Sequence, residues 1–136
     1  MKTKAEIVKN WLPRYTGTPI EQFGEYILLT NFSNYLEKFA RRFDVPIMGT
    51  GRAMQTATHE PSGLTLINYG MGSANAATIM DLLMAVKPKG VLFLGKCGGV
   101  KESTELGHFI LPMAAIRGEG TSNDYLAPEV PAMPSF

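Results

Sequence analysis

One stretch, from Asn68 to Val100, constrains the fold of this chain more than any other. It reads NYGMGSANAATIMDLLMAVKPKGVLFLGKCGGV and joins two apolar runs through a helical pattern, with a glycine-rich turn after each run. The apolar runs, 64–69 and 91–94, have the length and composition of β-strands. Two such strands connected through a helix form a βαβ unit and are parallel. The sequence therefore predicts an α/β fold with a parallel pair of strands, of which 91–94 is buried on both faces.

The helix of this unit has a start signal and a stop signal. Ser73 is a residue type that caps helix N-termini. Pro88 ends the helix, because proline cannot continue one and disfavours helical geometry in the residue before it. The apolar positions between these signals recur at helical spacing and are expected to face the core; they are Ala76, Ile79, Met80, Leu83 and Val86.

Both strands of the unit are followed by glycine-rich turns, at 70–72 and 95–99. The carboxyl ends of parallel strands meet at one edge of the sheet, and open α/β sheets bind ligands there. Glycine allows a ligand to approach backbone N–H groups that a side chain would shield. The sequence therefore predicts a small-molecule pocket at this edge.

The remaining patterns extend the fold on both sides of the central unit. Before the central unit they predict a helix over 4–12 that ends before Pro13, a strand over 26–30, and a second helix capped by Ser33 or Asn34. The buried side of that second helix is expected to carry Tyr35, Leu36, Phe39, Ala40 and Phe43. The patterns also predict an antiparallel hairpin of 54–59 with 64–69, and two strands over 106–111 and 114–117. The tail from Gly118 is rich in glycine and proline, and we expect no element there.

Composition limits the classes of function. The 136 residues suit one domain with its own core, and a net charge of +1 argues against a nucleic-acid surface. No apolar run approaches the ~20 residues of a membrane helix. A single cysteine fits a reducing compartment, and two isolated histidines offer no metal-ligand spacing. We therefore expect a cytoplasmic protein that binds neither nucleic acid nor membrane and uses no metal or other cofactor.

Three motifs together point to a family. The chain carries Gly-Met-Gly at 70–72, Gly-Lys-Cys-Gly at 95–98 and Glu-Gly-Thr-Ser at 119–122. In this combination it resembles the nucleoside phosphorylase and nucleosidase superfamily, and within it the AMP nucleosidases, particularly the short bacterial form without a large regulatory N-terminal domain. The resemblance implies a three-layer αβα sandwich with a central mixed sheet. It also implies a homo-oligomer, commonly a hexamer built from dimers, whose pockets are completed across subunits.

The chain departs from the phosphorylase pattern at two places. Phosphorylases carry Gly-Asp-Pro-x-Arg after the first strand, where this chain has Thr-Asn-Phe-Ser-Asn at 30–34. They also carry arginine where this chain has Phe93, and serine or threonine where it has Lys96. Those arginines would hold inorganic phosphate as the nucleophile. Without them the resemblance implies that water attacks, so that AMP is hydrolysed to adenine and ribose 5-phosphate. The alternative is a purine or uridine nucleoside phosphorylase.

The resemblance and the residue types give nine candidate substrate-binding residues. By resemblance, Met71 and Gly72 line the ribose, Cys97 faces the base, and the segment 118–125 borders the active site near a subunit interface. Arg52 is a candidate for holding a phosphate group through its planar fork, and ordinary surface or core roles stay open for these positions. The full set is Asn31, Arg52, Met71, Gly72, Lys96, Cys97, Gly98, Thr121 and Tyr125.

The expected catalytic residues lie outside this sequence. Members of the family continue well beyond the position of Phe136, and that part carries the glutamate that holds the ribose hydroxyls and the acid that protonates the purine. We therefore expect residues 1–136 to be the N-terminal portion of a single domain whose C-terminal part is missing. The alternative is a non-catalytic, nucleotide-binding module. In isolation the chain is expected to expose a sheet edge and to associate or be marginally stable.

Overall fold

A single mixed sheet of four strands organises the part of the chain that ends at Gly95. In this computed structural model, which describes residues 2–135, the chain divides into that unit and a second one that begins at Lys96. The helices and strands are α1 (Lys4–Thr16), β1 (Tyr26–Thr30), α2 (Ser33–Phe43), β2 (Gln55–His59), β3 (Leu64–Asn68), α3 (Ser73–Leu82) and β4 (Gly90–Leu94). Short 3₁₀ turns lie at Ile20–Gln22, Glu60–Ser62, Leu83–Ala85 and Thr121–Asp124.

The strand order is β2-β3-β1-β4, with β1 parallel to both β3 and β4 and β2 antiparallel to β3. The predicted hairpin is therefore confirmed. The predicted pairing of β3 with β4 is wrong in one respect, because β1 lies between these two parallel strands. The crossover through α3 passes over β1, whose Ile27 and Leu29 side chains are buried beneath the helices of that face.

Two clusters of buried side chains place helices on both faces of the sheet. On one face, α1 and α3 pack over β1 and β3; this cluster comprises Val8, Leu12, Ile27, Leu29, Met54, Ile67, Tyr69, Ile79, Leu82 and Leu83. On the other face α2 packs over β2 and β3; this cluster comprises Leu36, Phe39, Ala40, Ala57 and Leu66. The three-layer αβα arrangement with a mixed central sheet is thus confirmed.

Helix α1 runs through Pro13, so the predicted end before that residue is wrong. It ends at Gly17, where a φ of 70° lets the glycine N–H donate to the Pro13 carbonyl at 2.8 Å. Leu12 and Thr16 are fully buried on either side of the proline. Burial of this last turn therefore outweighs the backbone hydrogen bond that proline cannot donate.

The caps of the other two helices also differ from the prediction. The N-cap of α2 is Phe32 and that of α3 is Gly72, and neither provides a side-chain cap. Two residues separate β1 from α2 and four separate β3 from α3, so each helix begins soon after the chain has turned. On α3, Met80 is 49% exposed and Leu82 is buried in its place, because the helix presents the 79, 82 and 83 positions to the sheet.

Strand β4 is an edge strand among the described residues, and the prediction that it is buried on both faces is wrong. Its central side chains Val91, Leu92 and Phe93 are 37%, 50% and 54% exposed. Its one hydrogen-bonded neighbour within residues 2–135 is β1. An apolar run predicts a buried strand only where further elements cover both of its faces.

The second unit contains little regular structure. The strands predicted over 106–111 and 114–117 do not form; Ala115 makes a single isolated bridge with Ala132. The tail, predicted to be without an element, contains the 3₁₀ turn Thr121–Asp124. None of this unit's described residues is buried. An extended segment needs a hydrogen-bonded neighbour to become a strand, and these segments have none beyond the bridge.

Candidate active site

Three parallel strands end at the same level and form the carboxyl edge of the sheet. Thr30, the last residue of β1, is in register with Asn68 of β3 and Leu94 of β4. Its hydroxyl donates to the Leu94 carbonyl at 3.0 Å, and its carbonyl accepts from the Tyr69 N–H at 3.1 Å. Thr30 therefore fixes the ends of three strands relative to one another.

The connections that leave this edge go to opposite faces of the sheet. Adjacent strands β1 and β3 are followed by α2 on one face and α3 on the other. Such a point is a topological switch, where open α/β sheets bind ligands between the two loops. The space between these two loops is called the crevice below. The loop after β1 forms one wall of this crevice, and the loop 69–72 after β3 forms the other.

Helices α2 and α3 both begin at the crevice. Because neither N-cap residue provides a side-chain cap, the first-turn amides are not shielded by a capping side chain. Helix N-termini carry partial positive charge and favour anionic groups of a ligand. The edge is therefore suited to a ligand with oxygen-rich or negatively charged groups.

The turn 70–72 is held by two asparagine side chains. The Asn68 carboxamide oxygen accepts from the Gly70 N–H at 3.1 Å, and Asn75 donates to the Met71 carbonyl at 3.1 Å. Gly70 and Gly72 have φ values of 81° and 100°, a region that a side chain disfavours. The turn thus presents Met71, 80% exposed, at its tip. Core filling is excluded for Met71 within this chain, and its contact with ribose stays a prediction.

Asn31 lies on the opposite wall, directly after β1. The residue is partly buried, and its side-chain oxygen Oδ1 is buried without a hydrogen-bond partner. Leaving a buried acceptor unpaired costs about 1–3 kcal/mol. The backbone on both sides is fixed, since the Phe32 N–H donates to the Thr30 hydroxyl at 3.2 Å.

Arg52 lies beyond the same edge, at its β2 end. Strand β2 is antiparallel to β3, with Gln55 opposite Asn68, so the residues before Gln55 lie at the carboxyl edge. The exposed Arg52 side chain donates from Nη1 to the Arg14 carbonyl at 3.1 Å, near the end of α1. A cation is favourable at a helix C-terminus. Arg52 therefore has a structural contact here, and phosphate binding stays a prediction.

The other candidates belong to the second unit. Lys96, Cys97 and Gly98 are exposed at its start, with Cys97 an exposed thiol. Thr121 and Tyr125 lie at the two ends of the 3₁₀ turn. The structure thus brings Asn31, Met71 and Gly72 to one crevice. Arg52 lies in the same unit, and the other five candidates belong to the second unit.

Arg117, which the sequence did not single out, makes side-chain hydrogen bonds within the second unit. Arg117 donates from Nη2 to the Asn123 side chain and to the carbonyls of Leu126 and Ala127, at 2.9–3.0 Å. The hydrogen bond from the Ser122 hydroxyl, with help from its N–H, lowers the pKa of Glu119. These bonds shape the turn that carries Thr121. The available signal in the sequence was the position of Arg117, a charged residue directly before the glycine-rich segment that begins at Gly118.

Two concavities of the first unit lie away from the crevice. One of about 420 Å³ is at the opposite, amino edge of the sheet and is lined by Glu21, Glu25, Glu60 and their neighbours. Another of about 280 Å³ is an apolar groove between the end of α3 and β4. Within residues 2–135 no group of three or more histidine, cysteine or acidic side chains could hold a metal ion. No helix in the same range has the length and apolar character to cross a bilayer.

Comparison with known proteins agrees with this geometry. A family model described as the Phosphorylase superfamily matches residues 25–136. The AMP nucleosidase of Escherichia coli K12 is 30% identical over 155 aligned positions, which cover 88% of this chain and 32% of that protein. The uridine phosphorylase of Treponema pallidum is 27% identical over 125 positions, which cover 90% of this chain and 48% of that protein.

A solved structure matches almost the whole chain. The crystal structure of AMP nucleosidase from Bacteroides thetaiotaomicron aligns with a TM-score of 0.91 at 64% sequence identity. The alignment covers 98% of this chain and 57% of that one. This chain therefore spans only part of the length of these relatives: 32% of the Escherichia coli protein and 57% of the Bacteroides thetaiotaomicron protein.

Proposed function

Because the chain belongs to the Phosphorylase superfamily, we propose that the protein hydrolyses the N-glycosidic bond of AMP to adenine and ribose 5-phosphate. Two AMP nucleosidases support this choice within the superfamily, one of them at 64% identity across nearly the entire chain. The crevice at the carboxyl edge supports a site for a sugar and its anionic groups.

The neutral loop after β1 carries the choice of water over phosphate as the nucleophile. Residues 30–34, Thr-Asn-Phe-Ser-Asn, contain no cationic side chain, although they form one wall of the crevice. Binding a phosphate dianion as a co-substrate calls for arginine or lysine at its oxygens. At the end of β4, the phosphorylase arginine is replaced by Phe93, whose ring contacts that of Tyr69 at 6.1 Å between centroids. Both places therefore lack the arginine side chains that would hold inorganic phosphate as the nucleophile.

The chemistry divides between this chain and residues expected outside it. Cleavage passes through an oxocarbenium-like sugar, which needs a held water and an acid for the departing purine. In the proposal, Met71 and Gly72 line the ribose, and the helix N-termini or Arg52 hold the 5′-phosphate. Cys97 and Gly98 face the base, and Thr121 and Tyr125 border the pocket. We assign no general acid to residues 1–136.

The test measures adenine release from AMP by the natural full-length protein, with and without inorganic phosphate. We expect the same rate in both conditions and ribose 5-phosphate as the sugar product. The similarity to a uridine phosphorylase supports the competing function, phosphorolysis. Release that strictly requires phosphate, with ribose 1,5-bisphosphate as the product, would establish phosphorolysis and reject hydrolysis.

A further inference from the structure

The loop 49–54, which precedes β2 and carries Arg52, has a fixed backbone. Met48 and Thr56 close the loop at its base, since their backbones exchange hydrogen bonds of 2.8 and 3.2 Å. Inside the loop, the Arg52 N–H donates to the Gly49 carbonyl at 2.9 Å. The loop is therefore a compact turn, and the position of Arg52 depends on what this turn packs against.

The last turn of α1 is the surface that the loop packs against. The Met54 N–H donates to the Tyr15 carbonyl at 3.0 Å. The Arg52 side chain donates from Nη1 to the Arg14 carbonyl at 3.1 Å. Carbonyls in the last turn of a helix have no partner within the helix, so a neighbouring segment has to supply their donors. The loop and the end of α1 therefore satisfy each other's backbone groups.

Two glycines with positive φ allow this close approach. Gly17 has a φ of 70° and Gly49 a φ of 81°. A Cβ atom on Gly17 would lie 2.9 Å from the Gly49 Cα. A Cβ atom on Gly49 would overlap the carbonyl oxygens of Thr16 and Met54. A side chain at either glycine would therefore push the loop away from α1, in addition to straining the backbone.

Helix α1 is itself held firmly on the sheet. Its Leu12 and Thr16 side chains are fully buried, and Leu12 belongs to the buried cluster beneath α1 and α3. The helix lies outside residues 25–136, the part of the chain that matches the superfamily model. The contact with the loop 49–54 is thus a feature that α1 adds to the part of the fold that this model describes.

We propose that the contact between Gly17 and Gly49 positions the loop 49–54, so that the end of α1 determines where Arg52 is held at the carboxyl edge. Both glycines are then positioning residues that act through Arg52. The consequence for the substrate rests on the proposed function, in which Arg52 is a candidate for holding the 5′-phosphate of AMP. A guanidinium binds phosphate through a planar fork of N–H groups, so a displaced loop weakens AMP binding more than it slows the chemical step.

Gly49→Ala and Gly51→Ala form a matched pair in the natural full-length protein. Gly51 has a φ of 78°, so alanine strains the backbone at this position much as it does at Gly49. Apart from its chain neighbours, a Cβ atom on Gly51 would meet no atom of residues 2–135 within 4 Å. Only Gly49→Ala therefore separates the loop from α1. Hydrogen exchange of the Met54 N–H measures the contact, and KM and kcat for adenine release from AMP measure its consequence.

In Gly49→Ala we expect the Met54 N–H to exchange at least about tenfold faster, because its bond to α1 is lost. KM for AMP should rise about tenfold while kcat changes less than about threefold. Gly51→Ala should change each quantity less than about twofold. Gly17→Ala, which disturbs the same contact from the helix side, should act in the same direction as Gly49→Ala. Equal Met54 exchange rates in Gly49→Ala and Gly51→Ala would overturn the inference.

Arg52→Ala separates a positioning role from a general loosening of the fold. If the glycines act through Arg52, adding Gly49→Ala to Arg52→Ala should raise KM for AMP no further. A further rise in the double variant, or an unchanged KM in Arg52→Ala alone, rejects Arg52 as the group that is positioned. Adenine release that requires phosphate rejects hydrolysis but leaves the exchange and KM comparisons readable, so the two proposals fail separately.

Discussion

Both units of this chain contain runs of apolar residues, but only the first unit buries apolar side chains in a core. Up to Gly95, two clusters of buried side chains fix helices to both faces of the sheet. From Lys96 onward, apolar side chains such as Leu106 and Phe109 are fully exposed. Both units contain runs that predict strands, so the difference lies in the neighbours available. A strand needs hydrogen-bond partners and a packed face, and the described part of the second unit offers neither.

The same contrast applies to the candidate site residues. In the first unit, Asn31 and the turn 70–72 follow strands whose ends are tied together by Thr30. In the second unit, Thr121 and Tyr125 depend on short-range bonds made by Arg117 and Glu119. We therefore expect the first unit to determine the geometry of the site and its stability.

The largest expected effect is the loss of a buried side chain in the first unit. Ile67 is fully buried in the α1/α3 cluster, whereas Ile116 is 98% exposed in the second unit. Ile67→Ala should lower the free energy of unfolding of the 136-residue chain by about 2–5 kcal/mol. Ile116→Ala should change it by less than about 0.5 kcal/mol. Urea titrations followed by circular dichroism measure both, and equal losses would erase the distinction between the units.

Local patterns predicted the first unit well because its neighbours are present. The run 26–30 became β1 with the predicted bounds, and β2 and β3 formed the predicted antiparallel hairpin. The errors have tertiary causes. Helix α1 continues past Pro13 because Thr16 is buried, and β1 enters between β3 and β4 because the crossover through α3 passes over a strand. Neither cause is visible in a local pattern.

For the site, the sequence predicted the edge but not its construction. Glycine turns after strands placed Met71 and Gly72 correctly at the carboxyl edge. The switch point was not predictable, because it depends on which faces α2 and α3 cover. Asn68 had a readable signal, since asparagine two residues before Gly70 favours a turn held by its side chain. The unpaired oxygen of Asn31 can be recognised only from burial.

An intermediate effect is expected at the open edge of the first unit. Strand β4 exposes Leu92 and an unpaired row of backbone groups, a template for association with another copy. We expect the 136-residue chain to self-associate in sedimentation velocity runs over a range of concentrations. Leu92→Lys should raise the dissociation constant about tenfold, about 1.4 kcal/mol, because charge on an edge strand opposes pairing.

The control for that edge is Leu106→Lys in the second unit, where the leucine side chain is fully exposed. It should leave association unchanged, because Leu106 lies on no strand. A monomeric wild-type chain at all concentrations, or equal effects of the two lysines, would show that β4 is not the associating surface.

The smallest expected effect compares one kind of hydrogen bond in the two units. Thr3 caps α1: its hydroxyl accepts from the Glu6 N–H at 3.3 Å, and its N–H donates to the Glu6 carboxylate at 2.7 Å. In the second unit, Ser122 donates to Glu119 in a similar way. Thr3→Ala should destabilise the chain by about 1 kcal/mol, the usual value of a lost N-cap. Ser122→Ala should produce no measurable change, because its turn is not packed on a core.

The pH dependence of the Thr3 effect identifies its source. Hydrogen bonds from the Thr3 N–H and then its hydroxyl hold the pKa of Glu6 below 4.5, its ordinary value. A lowered pKa adds stability above pH 4.5 that is lost as the pH falls through the folded-state value. The cost of Thr3→Ala, measured by thermal unfolding, should therefore be largest above pH 4.5 and shrink below it. Glu6→Gln removes the titration, so in that background the cost should not vary with pH. If the cost is constant with pH in wild type as well, the Glu6 carboxylate has no part in the cap.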